Sequence, residues 1–272
     1  MSVKSDLTVR GLGWNPNPAD SRDVSARPML GAPSTVPLEW FGLMPYLAAA
    51  MDQSISSACV GFALAAAIMI RLRMQGTFVT DVSGFAIYAW ARMMSKLSKD
   101  DPILDTGCYP RVAMQSLRVH GAPPEAAWPF DVGMVNEELP WDVQQVSSAG
   151  RVVRWFRLDS GGPGRIREIM HALVQGYPVV FGTFVDAVFM AHGIAYDLDD
   201  APIVRRMNTS DPQGGGHMMC IVAYRTNRDG QVEFLILNSW GLRWGYRGMI
   251  WMHQDVLLDP ASSDFHVMQV TS

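Results

Sequence analysis

Asn238-Ser239-Trp240-Gly241-Leu242-Arg243-Trp244-Gly245 (NSWGLRWG) directly follows the β-rich run VEFLIL (232–237). A second β-rich run, HMMCIVAYR (217–225), lies just upstream, and TNRDGQ (226–231) between them is turn-forming. Two strands joined by a short turn pair antiparallel, so the start of the first lies beside the end of the second. His217 is at that start and Asn238 is at that end. The hairpin therefore brings an imidazole within reach of a carboxamide whose oxygen can accept from a ring N–H. The glycine run Gly214-Gly215-Gly216 ahead of His217 allows the ring to project from a strand end into a cleft.

Outward from this hairpin, the second half of the chain continues to read as sheet. RVVRWFRL (151–158) alternates, YPVVFGTFV (177–185) is β-rich, and GMIWM (248–252) is a further strand. One helix, RIREIMHALVQG (165–176), interrupts them and ends at Gly176. The first half reads as helices. In DQSISSACVGFALAAAIMIRLRMQG (52–76) a polar cluster precedes a long apolar run, which predicts a helix from about Ser57 or Ala58 to Gly76, buried on most sides. Arg71 and Arg73 stand near its negative end. Helices follow over Ser83–Leu97 and Pro110–His120, then an irregular connection marked by Pro123, Pro124, Pro129 and Pro140. Residues 1–38, rich in Pro, Gly, Ser, Asp and Asn, read as an extended arm. Helices first and strands later argue an α+β fold. The divisions are an arm and lead-in over 1–51, a helical half over 52–150 and a β-rich half over 151–272.

Composition sets outer bounds. The 272 residues are 49% hydrophobic and 18% charged, the balance of a globular chain with a sizeable core. The net charge is −4 and no Lys/Arg run exceeds two residues, which gives no support for a nucleic-acid surface. Cys59, Cys108 and Cys220 are too few and too far apart for a disulfide framework and read as reduced thiols. Lys4, Asp6 and Arg10 leave no apolar run of signal-peptide length. Cytoplasmic residence is expected, with a non-Sec export route left open. The most apolar stretches, Trp40–Met51 and Ala58–Ile70, fall short of the roughly 20 residues that span a bilayer.

Nucleophilic cysteine chemistry needs a thiol held as thiolate, a base, a group that fixes the base's tautomer, and donors for the oxyanion. Cys59 stands where the polar run gives way to the helix, so its sulfur falls at the positive helix end. Gln53, six residues earlier, can return its amide to the same point. His217 supplies a base and Asn238 an orienting group. A lone cysteine at a helix start is ordinarily a small buried residue, and it is the company of Gln53, His217 and NSWGLRWG that changes the reading. Cys220 lies three residues past His217 on a strand, hence on the other face, and reads as core. Cys108 follows Gly107 in a turn as a free thiol. Cys59, His217 and Cys220 lack the ligand-pair spacing of a zinc site, so neither metal nor cofactor is expected. His120, His171, His192, His253 and His266 read as surface or structural. The acidic loop YDLDDAP (196–202) lacks the ligand period of a calcium loop and reads as solvated.

These segments resemble the papain-like cysteine peptidases. NSWGLRWG matches the family's N-S-W-G-x-x-W-G motif, DQSISSACVGFA resembles its D/N-Q-G-x-x-G-S-C-W-A-F, and GGGHMMCIVAY resembles its histidine segment. GLGWNPNPADSRD, GAPPEAAWPFD and ALVQGYPVVFG are similar to stretches of bacterial members. The resemblance implies a helical half and a β-barrel-like half with a cleft between them. It implies Cys59 as nucleophile, His217 as base and Asn238 as its holder. Gln53 and the Cys59 backbone N–H would form the oxyanion hole. It also implies Trp240 as shield of the Asn–His contact, with Gly215 and Gly216 on the substrate side, and a peptide or protein as substrate. The chain departs from the pattern at Ser54 for glycine, Ser56 for a half-cystine, Ser57-Ala58 for Gly-Ser and Val60 for tryptophan. The 38-residue arm does not resemble the long helical pro-segment of many relatives. The same residues serve transamidases, deamidases and isopeptidases, and a dormant peptide-binding module is a third reading. Oligomeric state is left open.

Overall fold

The structure is a computed structural model that describes residues 10–31, 37, 39–77, 81–146 and 150–271. Parts of the arm read over 1–38, namely residues 1–9, 32–36 and 38, lie outside the described residues. Its described part runs extended except for one helical turn, α1 (Arg27–Leu30), and leads to a short strand, β1 (Trp40–Gly42).

Helix α2 (Cys59–Met74) begins at the cysteine itself, and every residue from Cys59 to Ile70 is buried. An all-round apolar helix has no solvent face, so it must lie at the centre with other elements around it. Helix α3 (Gly84–Ser95), whose Ser83 cap accepts from the Ala86 amide, packs on one side, and α4 (Pro110–Val119) packs on α3. On its other side α2 meets the sheet. A four-residue helix, α5 (Trp141–Gln144), closes the helical part.

The remaining chain forms β2 (Arg151–Arg157), α6 (Pro163–Val174), β3 (Val179–Val185), α7 (Ala187–Met190), β4 (Ile203–Val204), β5 (Gly215–Thr226), β6 (Val232–Leu237), β7 (Met249–His253), α8 (Gln254–Leu258) and β8 (Ser263–Thr271). The strands run in the order β2-β8-β3-β5-β6-β7-β4, with β1 added on β5. Pairing is antiparallel except between β4 and β7. Residues 217–224 of β5 are buried without a break. Successive residues face opposite sides, so both faces of the sheet are covered there; α2 and α6 both contact β5. The expected α+β architecture is present. The β half, expected to be barrel-like, is corrected to an open sheet: among the described residues the ordered path ends at β2 and β4, which do not pair. Strand β4 has two residues, too few to carry pairing round to the far edge.

Sequence reading omitted β1 and β4, of three and two residues, the helices α1, α5, α7 and α8, of four or five residues, and β8, whose nine residues include an unbroken buried run and so show no alternation. No helix of the described residues is long and apolar enough to cross a membrane.

Candidate active site

Cys59 is the first residue of α2, after Ala58, which gives no side-chain cap. The first-turn amides therefore point their positive ends toward the sulfur's side of the molecule. Yet Cys59 is fully buried. Burial pushes its thiol up to about 11, opposed by smaller pulls from the backbone amides of Met218, Gly13, Val60 and Cys59 itself.

His217 sits on β5 opposite Thr183 of β3, and Asn238 follows the last residue of β6. Their side chains meet as the hairpin requires, His217 Nε2 lying 2.8 Å from Asn238 Oδ1. An amide oxygen accepts, so Nε2 carries the proton and Nδ1 keeps its lone pair. Asn238 Oδ1 also accepts from the Ser239 amide at 2.7 Å, which holds the carboxamide in one orientation. Trp240 stacks on the imidazole with ring centroids 4.4 Å apart and 22° between planes. Phe189 and Trp244 pack on Trp240 in turn. Burial pushes His217 down to about 4, with the Asn238 bond opposing it. Its Nδ1 is buried and has no hydrogen-bond partner, Cys59 Sγ included. Burial of both groups favours the neutral thiol and the neutral imidazole.

The loop before α2 is clamped to the loop after β6. Gln53 N donates to Ser239 O at 2.8 Å and Gly241 N to Met51 O at 2.9 Å. Gln53 is fully buried, with Oε1 accepting from Ser239 Oγ at 2.6 Å. Its Nε2 donates to Ser56 O at 2.7 Å and to Gly11 O at 3.1 Å. The second of these acceptors belongs to the N-terminal segment, which crosses the site. Gly11 N donates to Ser54 O, Cys108 N donates to Gly13 O, and Trp14 N donates to Gly216 O, at 3.2, 3.0 and 3.1 Å. The segment therefore bonds to the helical side and to β5 at once, and Cys59 and His217 beside it are both fully buried.

Comparison with known proteins follows this geometry. The profile described as papain family cysteine protease matches residues 106–263, more than half of the chain. The chain belongs to the papain family of cysteine proteases. A peptidase C1-like protein of Acanthamoeba polyphaga mimivirus is 27% identical over 234 residues, which is 83% of this chain and 71% of that one. Among solved structures, xylellain, a cysteine protease from Xylella fastidiosa, superposes with a TM-score of 0.75 at 22% identity, covering 97% and 98% of the two chains. A recombinant stem bromelain precursor superposes at 0.67 with 18% identity, covering 98% of this chain and 79% of that one.

In this papain-family protease Gln53, Asn238 and Trp240 stand on the two clamped loops, His217 on the first strand of the hairpin, and Cys59 at the head of α2, which packs against that strand. The matched span contains His217 and Asn238 but neither Gln53 nor Cys59. Gly215 and Gly216, expected to line the substrate side, begin β5, and the Gly216 carbonyl is occupied by the Trp14 amide. Cys108, read as an isolated free thiol, is buried, and its backbone bridges to Trp14 in parallel. Four participants escaped sequence reading: Trp14, the Cys108 backbone, Ser239 and Asp264, whose carboxylate accepts from Trp14 Nε1, Asn17 N and Asn17 Nδ2, each at 2.9 Å. The G-W-N-P run carried a signal for the first, as an apolar ring inside a polar arm. The others contribute backbone or a common polar group, whose use depends on the fold.

Proposed function

We propose that the protease hydrolyses peptide bonds through Cys59, His217 and Asn238, with Gln53 donating to the oxyanion, and that the segment Gly11–Trp14 keeps the described state latent. The observation that carries this reading is the 2.8 Å His217–Asn238 contact beneath Trp240, on a strand packed against the helix that Cys59 begins. Withdrawal of the segment frees Gln53 Nε2 from Gly11 O and the Gly216 carbonyl from Trp14 N, and readmits water. The solvated pair then exchanges its proton, the Cys59 S–H passing it to His217 Nδ1. The sulfur attacks the peptide carbonyl carbon and forms a C–S bond. The oxygen takes up the displaced π pair and accepts from the Gln53 amide and the Cys59 backbone N–H. His217 returns its proton to the amine nitrogen as the C–N bond breaks. Water, losing a proton to His217, then attacks the thioester carbon; the C–S bond breaks, His217 returns that proton to the sulfur, and the carboxylic acid leaves and ionises in solvent.

A Cβ at Gly13 would lie 1.9 Å from Ser57 O, so Gly13→Ala in the full chain dislodges the segment. That variant is expected to hydrolyse an unselective fluorogenic peptide mixture roughly tenfold or more faster than wild type. Added Cys59→Ala abolishes the rate, and His217→Ala lowers it by about a thousandfold or more. Hydrolysis that survives Cys59→Ala overturns the reading. Product analysis with and without a primary amine separates hydrolysis from amide transfer.

A further inference from the structure

A groove of about 770 Å³ lies between α1, α6, the turn that joins β5 to β6, and α8. Small-molecule sites typically enclose about 300–1,000 Å³. Thr226, on its lining, is the last residue of β5, whereas His217 stands near the beginning of that strand. Nine strand residues separate them, roughly 30 Å. The groove is therefore remote from the base and shares no lining residue with the site at Cys59. Leu30, Ile166, Met170 and Leu258 give it an apolar wall.

A carboxylate is buried in that wall. Glu168, on α6, is only 8% exposed. Its Oε2 accepts from the Ser160 amide at 2.9 Å, but among the described residues the buried Oε1 has no hydrogen-bond partner. A buried acceptor without a donor is costly, and whatever supplies one is favoured. Arg27 does not supply it. This side chain lies between two acids, Nε standing 3.2 Å from Asp159 Oδ1 and 3.9 Å from Glu168 Oε1, while Nη2 donates to Ser160 Oγ at 3.1 Å. Arg165 donates to Leu257 O at 2.8 Å and lies over the Phe265 ring. His171 Nε2 is 3.5 Å from Gln175 Nε2; an amide nitrogen donates, so that ring accepts and is neutral. Arg27 and Arg167 also line the groove, but both are exposed and screened by water. Glu168 acts through low-dielectric surroundings, so the field inside is that of the acid.

We propose that this groove binds an apolar primary amine, its ammonium donating to Glu168 Oε1 and its hydrocarbon body covering Leu30, Ile166, Met170 and Leu258. The site is independent of the reaction assigned to Cys59. An ammonium is a compact charge with three donors on a narrow stem, which suits an acid set behind apolar side chains. Arg27, exposed and held by Asp159, is the group that an entering ammonium displaces from the neighbourhood of Oε1. An alcohol offers one donor and no charge, and a carboxylate sets two acids against each other. A small alkylamine and a lysine flanked by apolar residues in a partner peptide present the same chemistry.

The test uses the full chain and needs no turnover. n-Hexylamine, n-hexanol and n-hexanoate are titrated at about pH 7.5, where the amine is protonated, and the methyl signals of Ile166 and Met170 are followed by NMR. Hexylamine is expected to bind roughly tenfold or more tighter than hexanol, with hexanoate weakest. Glu168→Gln keeps an oxygen for the Ser160 amide and is expected to bring hexylamine to the level of hexanol. Arg27→Gln alters an exposed residue, removes the competing cation and is expected to tighten hexylamine severalfold, which gives a reading independent of how well Glu168→Gln folds. Unmoved methyl signals, hexanoate binding as tightly as hexylamine, an amine preference that survives Glu168→Gln, or weaker amine binding in Arg27→Gln each overturns the proposal. A second arm compares acetyl-Leu-Leu-Lys-Leu-Leu-amide with the same peptide carrying glutamine for lysine. Tighter binding of the lysine peptide than of hexylamine, lost with glutamine, supports the site with a partner's lysine as its source. Hexylamine binding without peptide binding supports it with a small amine as the source.

Discussion

Ser54 stands where the family's glycine follows the oxyanion-loop glutamine, and it holds φ at 54°. That region costs a non-glycine residue about 1–2 kcal/mol, partly offset by the wider freedom glycine has when unfolded. The Ser54 amide donates to Asp52 Oδ1 at 2.8 Å, a bond any residue keeps. Ser54→Gly is therefore expected to stabilise the protein by a few tenths to about 1 kcal/mol, seen as a higher urea midpoint with unchanged slope. A lower midpoint would show that the serine side chain contributes more than its backbone costs. At this scale the candidate site was legible: a cysteine at a helix start, a histidine at a strand start and an asparagine at the next strand's end are informative by residue type and order. Asp264 was not, because an aspartate at the head of a strand says nothing until its three donors are placed.

Helix α2 illustrates the element scale. Its length and burial follow from an unbroken apolar run, and its predicted start near Ser57 or Ala58 falls within one or two residues of Cys59. What fixes that start comes from a distant loop. Asp105 accepts from the Ser57 amide at 2.9 and 3.1 Å and from Tyr88 Oη at 2.7 Å. It thereby anchors the residue just ahead of the Ala58 cap and ties the head of α2 to α3. Asp105→Ala leaves two donors without acceptors in a partly buried place and is expected to cost about 1–3 kcal/mol. Asp105→Asn, which keeps one acceptor oxygen, costs less. Thermal unfolding of the three proteins checks the order, and an alanine variant as stable as wild type would refute the anchoring role. Strand identity in the hairpin was equally legible. The sheet's openness was not, since a two-residue β4 has no sequence signature.

For the whole molecule, the covered site links the N-terminal segment to pH. Covered His217 protonates only near pH 4, against 6.5 for an ordinary histidine. In Cys59→Ala, where no thiol can hand its proton to the ring, release of the segment takes up a proton between these values, so the closed form loses stability as pH falls from about 6.5 toward 4. The loss at the acid limit is on the order of 3 kcal/mol. Covered Cys59 ionises near 11 rather than 9.0, so the closed form also weakens as pH rises above about 9. Amide-exchange protection at Trp14 and Asn15, corrected for intrinsic rates, is expected to fall between pH 6.5 and 4.5 in Cys59→Ala. In His217→Gln, which has no titrating ring, this acid-side fall disappears. An identical fall in both proteins would assign the acid response to carboxylates instead.

The sequence by itself determined the α+β class, the helix that begins at Cys59, the hairpin that joins His217 to Asn238 and the family to which the chain belongs. These rest on local patterns: apolar period, turn residues, and a short motif whose parts are neighbours in the chain. Only the tertiary structure decided that Gly11–Trp14 lies across the site, that Gln53 donates to Gly11, and that Trp14 donates to Asp264. Each of these contacts joins residues far apart in sequence, 250 positions in the last case. Burial and hydrogen bonding between such segments exist only once the chain has closed on itself, so no local pattern carries them.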